Sequence, residues 1–260
     1  VILFLVERRA AEPILPIPLF RRRVMSVSSA AGALIGSAMY GCITFVPLFV
    51  QAVRGGSPTR AGATIAPMIV AWPVASAIAG RLLPRLGFQL LVRLGLLLST
   101  VGAAGVAIFL HAEGSLAPTW VSMAIFGVGL GFANTALLIA VQTSVSWQER
   151  GVATASAMFF RSVGGALGLG AAGGILVASI SGIPGVPRNA ADKLLGPDHG
   201  ATLPPAILAK LSGSLESGLT TVFWFVFALA AGAFLLSLLF PRVEPARETT
   251  AEGVPVAGGG

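Results

Sequence analysis

Charge is what this sequence is shortest of. Asp, Glu, Lys and Arg make up 10% of its 260 residues, hydrophobic residues make up 55%, and mean hydropathy is +0.88. A soluble domain needs about 25% charged residues to solvate its surface. A water-facing globule is therefore excluded, and the length converts into membrane spans rather than soluble domains. Cysteine is nearly absent too: Cys42 stands alone in an apolar run, which removes both a disulfide framework and a cysteine-based metal site. The two histidines, His111 and His199, fall between apolar runs, and no carboxylate lies inside one. Intramembrane chemistry needs an acid, base, nucleophile or metal within reach of substrate. The expectation is a protein that is not an enzyme, with no cofactor and no metal.

What charge there is leans one way. The net charge is +7, a value that in a soluble protein would point to nucleic acid. Here the basic residues sit at the ends of apolar runs, with no aromatic residues interleaved to stack bases. Nucleic acid is not an expected partner.

A bilayer core of about 30 Å takes about 20 apolar residues of helix. Six windows qualify: 27–50, 61–80, 90–110, 118–143, 152–181 and 218–240. They are too long and too continuously apolar for barrel strands, which alternate over about 10 residues, so helices are expected. The breaks between them are 54–60, the arginine-bearing stretch 81–87, 111–118, 147–151 and a long segment 182–217, whose piece 206–211 reads as a short interfacial helix. The first six residues, VILFLV, are too short for a signal-peptide core and read as the last turns of a helix that begins upstream. The expected organisation is 1–23 as the end of that helix and a cytoplasmic linker, 24–240 as the six-span unit, and 241–260 as a disordered cytoplasmic tail.

Arginine placement sets the orientation. If the segment before the first window is cytoplasmic, that side holds eleven arginines: Arg8, Arg9, Arg21, Arg22, Arg23, Arg81, Arg85, Arg93, Arg150, Arg242 and Arg247. The other side holds five basic residues, Arg54, Arg60, Arg188, Lys193 and Lys210, three of them in the long loop where the positive-inside rule is weakest. Both chain ends are expected in the cytoplasm.

Helices that pack in a bundle segregate small and polar residues from bulky apolar ones. At 100° per residue, Ser37, Tyr40, Thr44, Pro47 and Gln51 share a face of the first window, while Leu34, Ile35, Ile43, Phe45, Val46 and Phe49 lie elsewhere. In the fourth window Gly127, Gly131, Asn134, Thr135 and Gln142 share a face. Each face reads either as the wall of a polar cavity or as polar glue between helices. In the second window Met68 and Trp72, one turn apart, are either a site for greasy ligands or plain packing. The fifth window holds the one charge deep inside a window, Arg161, on a stripe with Ala157, Gly165, Gly168 and Ala172. A central arginine costs about 2.5–3.5 kcal/mol on insertion scales, so function is the default reading and snorkelling to the interface the alternative.

The run Gly80-Arg81-Leu82-Leu83-Pro84-Arg85-Leu86-Gly87 resembles the cytoplasmic signature loop of the major facilitator superfamily, with Gly80, Arg85 and Gly87 as its matching positions. Pro84 stands where the N-terminal copy of that loop has an aspartate, and Phe88 and Gln89 replace its basic residues, a departure that suits the degenerate copy of a C-terminal half. EPILPIPLF (12–20), FVPLFVQAVRGGSPTRAG (45–62) and FFRSVGGALG (159–168) are similar to segments in the C-terminal domain of fourteen-spanner drug/proton antiporters.

The resemblance implies an all-α membrane protein with six transmembrane helices in two inverted three-helix repeats. It places the substrate cavity on the first, second, fourth and fifth windows, with Tyr40, Thr44, Gln51, Met68, Trp72, Asn134, Gln142 and Arg161 as candidates. It further implies residence in the cell membrane and proton-driven efflux of amphipathic compounds, with the proton as coupling ion, membrane lipid as surroundings and an N-terminal half of the same transporter as partner. The alternatives are a same-fold transporter of a lipid, siderophore or amino acid, since fold does not set substrate, and an inactive fragment that needs its N-terminal half. All ten carboxylates fall outside the six windows, so a coupling acid is expected in that missing half.

Overall fold

The computed structural model describes residues 17–180 and 205–241, and nearly all of them are helical. A 3-10 turn, Ile17–Arg21, leads into α1 (Arg23–Ala52). There follow α2 (Pro58–Phe109), α3 (Ala117–Thr143), a second 3-10 turn (Trp147–Glu149), α4 (Arg150–Ile180) and α5 (Pro205–Ser237). All five α-helices are long and apolar enough to cross a membrane. The predicted lead-in 1–16, most of the outward loop (181–204) and the tail from 242 lie outside the described residues.

Helix starts follow local chemistry. Pro58 opens α2 at a position whose N–H would be unpaired anyway, and the Ser57 hydroxyl before it accepts the Arg60 N–H at 3.3 Å. At the other face of the bundle, Ser146 and Glu149 form a capping box ahead of α4. Both the hydroxyl and the N–H of Ser146 donate to the Glu149 carboxylate, at 2.8 and 3.2 Å, which holds it below the usual carboxylate range.

The stretch 81–87, expected as a loop, stays helical as far as Leu86, and the break shrinks to Gly87 (φ 73°, ψ 165°). Arginine and leucine are strong helix formers, so the chain leaves helical geometry only where a residue without Cβ permits it. Gly127 and Gly131 of α3 meet Met68 and Trp72 in ascending order, whereas Gly129, Phe126 and Ser122 meet Ser99, Gly102 and Gly105 in descending register. The two legs of α2 therefore run in opposite directions past α3.

A second correction concerns 206–211. It is not a separate interfacial helix but the opening of α5, which begins at Pro205 and runs unbroken to Ser237. No proline interrupts α5 after its first residue. Glu216, expected to lie in a loop, therefore stands within this helix. The Glu216 carboxylate accepts the Ala112 N–H at 3.0 Å, capping the turn after α2.

Close approach of backbones organises the rest. A Cβ on Gly127 would lie 2.6 Å from the Met68 carbonyl oxygen, and one on Gly131 would lie 2.6 Å from that of Trp72. This is small-residue packing, which replaces the hydrophobic drive that lipid removes. The α1–α4 crossing uses the same device: Gly164 faces Ala33, Gly168 faces Ser37, and the Ser37 hydroxyl reaches the carbonyls of Gly164 (2.6 Å) and Ala33 (2.8 Å). Behind these crossings lies an apolar core that includes Phe45, Phe49, Phe126 and Phe223.

Candidate functional site

Four helices leave a cavity of about 190 Å³ between them. Ser28 and Gly32 come from α1, Trp72 from the first leg of α2, Asn134, Thr135, Leu137, Leu138 and Val141 from α3, and Ala157, Met158 and Arg161 from α4. Neither α5 nor the second leg of α2 contributes to its lining.

Arg161 reaches this space because α4 presents its small residues inward. Ala153, Ser156, Gly165, Gly168 and Ala172 are buried, while Phe159, Val163 and Leu167 are exposed. Its stem crosses α1 at Gly36, where a Cβ would lie 2.7 Å from the Arg161 Cγ. Eleven residues into α4, the guanidinium sits about 16 Å along the helix from Arg150. Its Nη1 donates to the Asn134 Oδ1 at 2.7 Å, joining α4 to α3. Because a guanidinium has no acceptor, this bond fixes which Asn134 atom is the oxygen and turns Nδ2 the other way. That Nδ2 is buried without a partner, as is the Ser28 hydroxyl at the cavity wall. Leaving a buried polar group unmet costs about 1–3 kcal/mol. Among the described residues no carboxylate lines the cavity.

The expected candidates separate in the structure. Trp72, Asn134 and Arg161 meet at this cavity. Thr44 and Gln51 line a second opening of about 370 Å³ between α1 and α4, beside Pro47, Leu169 and Gly173. Tyr40 is 37% exposed, with its ring against Gly165. Gln142 lies closer to the α3–α4 turn and donates to the Thr154 Oγ1 at 3.1 Å, bridging the two helices. Met68 is fully buried and packs on Gly127, lining none of the openings described. Gly80 and Arg85 are exposed at the end of the first α2 leg, next to the Gly87 break. Ser28, Gly32 and Met158 were missed in the sequence. The i, i+4 row Ser28, Gly32, Gly36 was their available signal.

Other arginines close helix ends. Arg93 donates from Nε and Nη2 to the carbonyls of Ser237 (3.4 Å) and Leu238 (3.0 Å), and the Gln89 Nε2 donates to the Phe240 carbonyl at 2.9 Å. The Arg22 guanidinium donates to the Ser144 carbonyl, and Arg54 bridges the carbonyls of His111 and Gly114. Such cations satisfy carbonyls that a helix C-terminus leaves free.

Comparison with known proteins agrees with this architecture. The chain is 36% identical over 176 residues to the multidrug transporter protein MdtP of Bacillus subtilis, covering 67% of this chain and 32% of the relative. It is 32% identical over 166 residues to a tetracycline resistance determinant of Streptomyces rimosus, covering 62% of this chain and 47% of the relative. It is 28% identical over 237 residues to multidrug resistance protein 3 of B. subtilis, covering 85% of this chain and 46% of that one. The chain thus spans between about a third and a half of the length of these relatives. In fold it is similar to a bacterial homolog of the human lysosomal transporter Spinster, crystallised inward-facing and unoccupied, with a TM-score of 0.57, 20% identity, and coverage of 89% of this chain and 52% of that one. The Major Facilitator Superfamily model matches residues 3–169. With that match over more than half its length, this integral membrane chain belongs to the Major Facilitator Superfamily.

Proposed function

We propose that the chain is the C-terminal six-helix half of a fourteen-span secondary transporter that exports amphipathic drugs or toxic compounds, driven by the proton gradient. The observation that carries this reading is the cavity itself. It gathers a guanidinium, a carboxamide and hydroxyls from three helices, with Trp72 of a fourth, inside a largely apolar bundle. The names of the relatives, two of them multidrug proteins and one a tetracycline resistance determinant, agree with export.

Two tight crossings support an inverted-repeat arrangement. α1 with the two legs of α2 forms one three-helix unit, and α3, α4 and α5 form the other. Pairing α1 with α3 and the first α2 leg with α4 exchanges the two parallel glycine-lined crossings, α2–α3 and α4–α1, as an axis in the membrane plane requires. Both termini face the cytoplasm, where the arginine excess places them. The cavity lies on one side of the half, so an N-terminal half supplies the opposite wall. It also supplies the coupling acid, because the described carboxylates Glu113, Glu149 and Glu216 all stand away from the cavity.

Accumulation of a fluorescent amphipathic dye tests the reading in cells carrying the full-length gene, this chain alone, or this chain co-expressed with the upstream half. Export that collapses with a protonophore is expected from the first and third. Proton-coupled export by this chain alone in liposomes overturns the half-transporter assignment, and equal accumulation in all strains overturns the transport assignment.

A further inference from the structure

Several side chains at the cavity wall near Arg161 carry N–H or O–H groups that no acceptor meets. One Arg161 N–H is used on the Asn134 Oδ1, which leaves the rest of the guanidinium fork. The Asn134 Nδ2 carries two more N–H groups and has no partner. The Ser28 hydroxyl, 3% exposed and also without a partner, adds a further O–H. The three residues come from three different helices, and all line the same 190 Å³ space. A carboxylate satisfies such a set, since it is acceptor-only and offers about four lone-pair sites. An ammonium group has no acceptor and meets a like charge there. Apart from Thr135 the remaining wall is apolar, with Trp72, Leu138 and Met158 lining the same space.

We infer that this cavity binds the carboxylate of an amphipathic organic anion, with Arg161 and Asn134 holding the head group and Ser28 adding a third donor, while Trp72 and Met158 take the apolar body. The inference rests on the transporter reading and narrows its substrate class to compounds that carry an anionic head. Arg161 is thereby a specificity-determining residue, and its bond to Asn134 leaves the amide Nδ2 without an acceptor.

The test uses the full-length protein in nanodiscs of zwitterionic lipid, with binding measured calorimetrically for three probes of one shape: 4-tert-butylbenzoate, 4-tert-butylbenzamide and 4-tert-butylbenzylammonium. Hydrogen bonds to charged groups differ enough from neutral ones that the benzoate should bind about ten- to a hundred-fold more tightly than either analogue. Arg161→Gln should abolish that discrimination. Arg161→Lys should keep part of it, because the charge remains and the planar fork is lost. Ser28→Ala, which removes only a buried hydroxyl, should weaken benzoate binding several-fold and leave benzamide binding less affected. A merely structural Arg161 would lower stability without altering the ranking of the probes. Equal or tighter ammonium binding, discrimination that survives Arg161→Gln, or no benzoate binding in the wild type each overturns the inference. The last result is expected if a carboxylate of the protein's other half already occupies the site. Loss of benzoate binding on adding phosphatidylglycerol reassigns the site to a lipid head group and overturns it equally. Dye export separates the two levels: protonophore-sensitive export unchanged in Arg161→Gln leaves the transporter reading standing while the anion site falls.

Discussion

The ring of Tyr40 on α1 occupies the space that a side chain on Gly165 of α4 would need: a Cβ built there would overlap its Cδ2 and Cε2 atoms. The two residues sit beside the Ser37–Gly164 contact, so the crossing of α1 and α4 leaves no slack at this level. Gly165→Val should destabilise the protein by about 1–3 kcal/mol, the usual cost of overpacking. Tyr40→Ala in the same chain should return most of that loss. Thermal unfolding of the two single variants and the double variant, followed by fluorescence-detected size exclusion, reads the coupling. Additive losses would show that the ring can swing aside.

A second contact involves backbone, which cannot swing. Gly131→Ala places a methyl group 2.6 Å from the Trp72 carbonyl oxygen and close to Ala75 and Ser76. Gly170→Ala meets nothing within 4 Å and exchanges a poor helix former for a good one. The expected result is a melting temperature lowered by several degrees for the first and unchanged or slightly raised for the second. If both variants melt like the wild type, α3 and the first leg of α2 can separate without cost.

Topology is open to single-cysteine labelling in a Cys42→Ala background. A membrane-impermeant maleimide applied from outside should modify cysteines at positions 56 and 113 and spare those at 85 and 150. Position 198 belongs with the outward set and lies outside the described residues. Labelling at 85 from outside would reverse the orientation.

Glu149 supplies a pH test. Its folded-state pKa lies below the ordinary carboxylate value through the two bonds from Ser146. The stabilisation is therefore complete above that ordinary value and is lost as pH falls through the lower folded one. Hydrogen-exchange protection factors at the start of α4, which correct for the intrinsic pH dependence of exchange, should fall as the medium is acidified below the usual carboxylate range. Glu149→Gln should show weaker pH dependence over the same window, and identical profiles would remove the capping box from the account.

The helices were legible in the sequence because lipid exacts long apolar runs, and the window 118–143 differs from α3 by one residue at its start. The faces were legible as stripes of small and polar residues, and Arg161 falls on the inward stripe of α4. The convergence of side chains was not legible. Whether Asn134 or Gln142 meets Arg161 depends on crossing points set by glycine–carbonyl contacts, and hydropathy carries no trace of those. Met68 illustrates the same limit from the apolar side, since a thioether that packs on Gly127 and one that lines a cavity have the same spacing. The reach of helix through 81–86 and 205–217 was hidden because the proline and arginines of the first stretch and the proline, glycine and serines of the second read as loop residues.

Gly87 has a mechanical consequence. A junction of one residue between opposed legs has two soft dihedrals and no spare length. Neither leg can slide along its axis without dragging the other, and α3, gripped by both, must travel with them. The triplet behaves as a lever with a single joint at Gly87, so a push on Trp72 at the wall of the cavity is felt in the second leg as well.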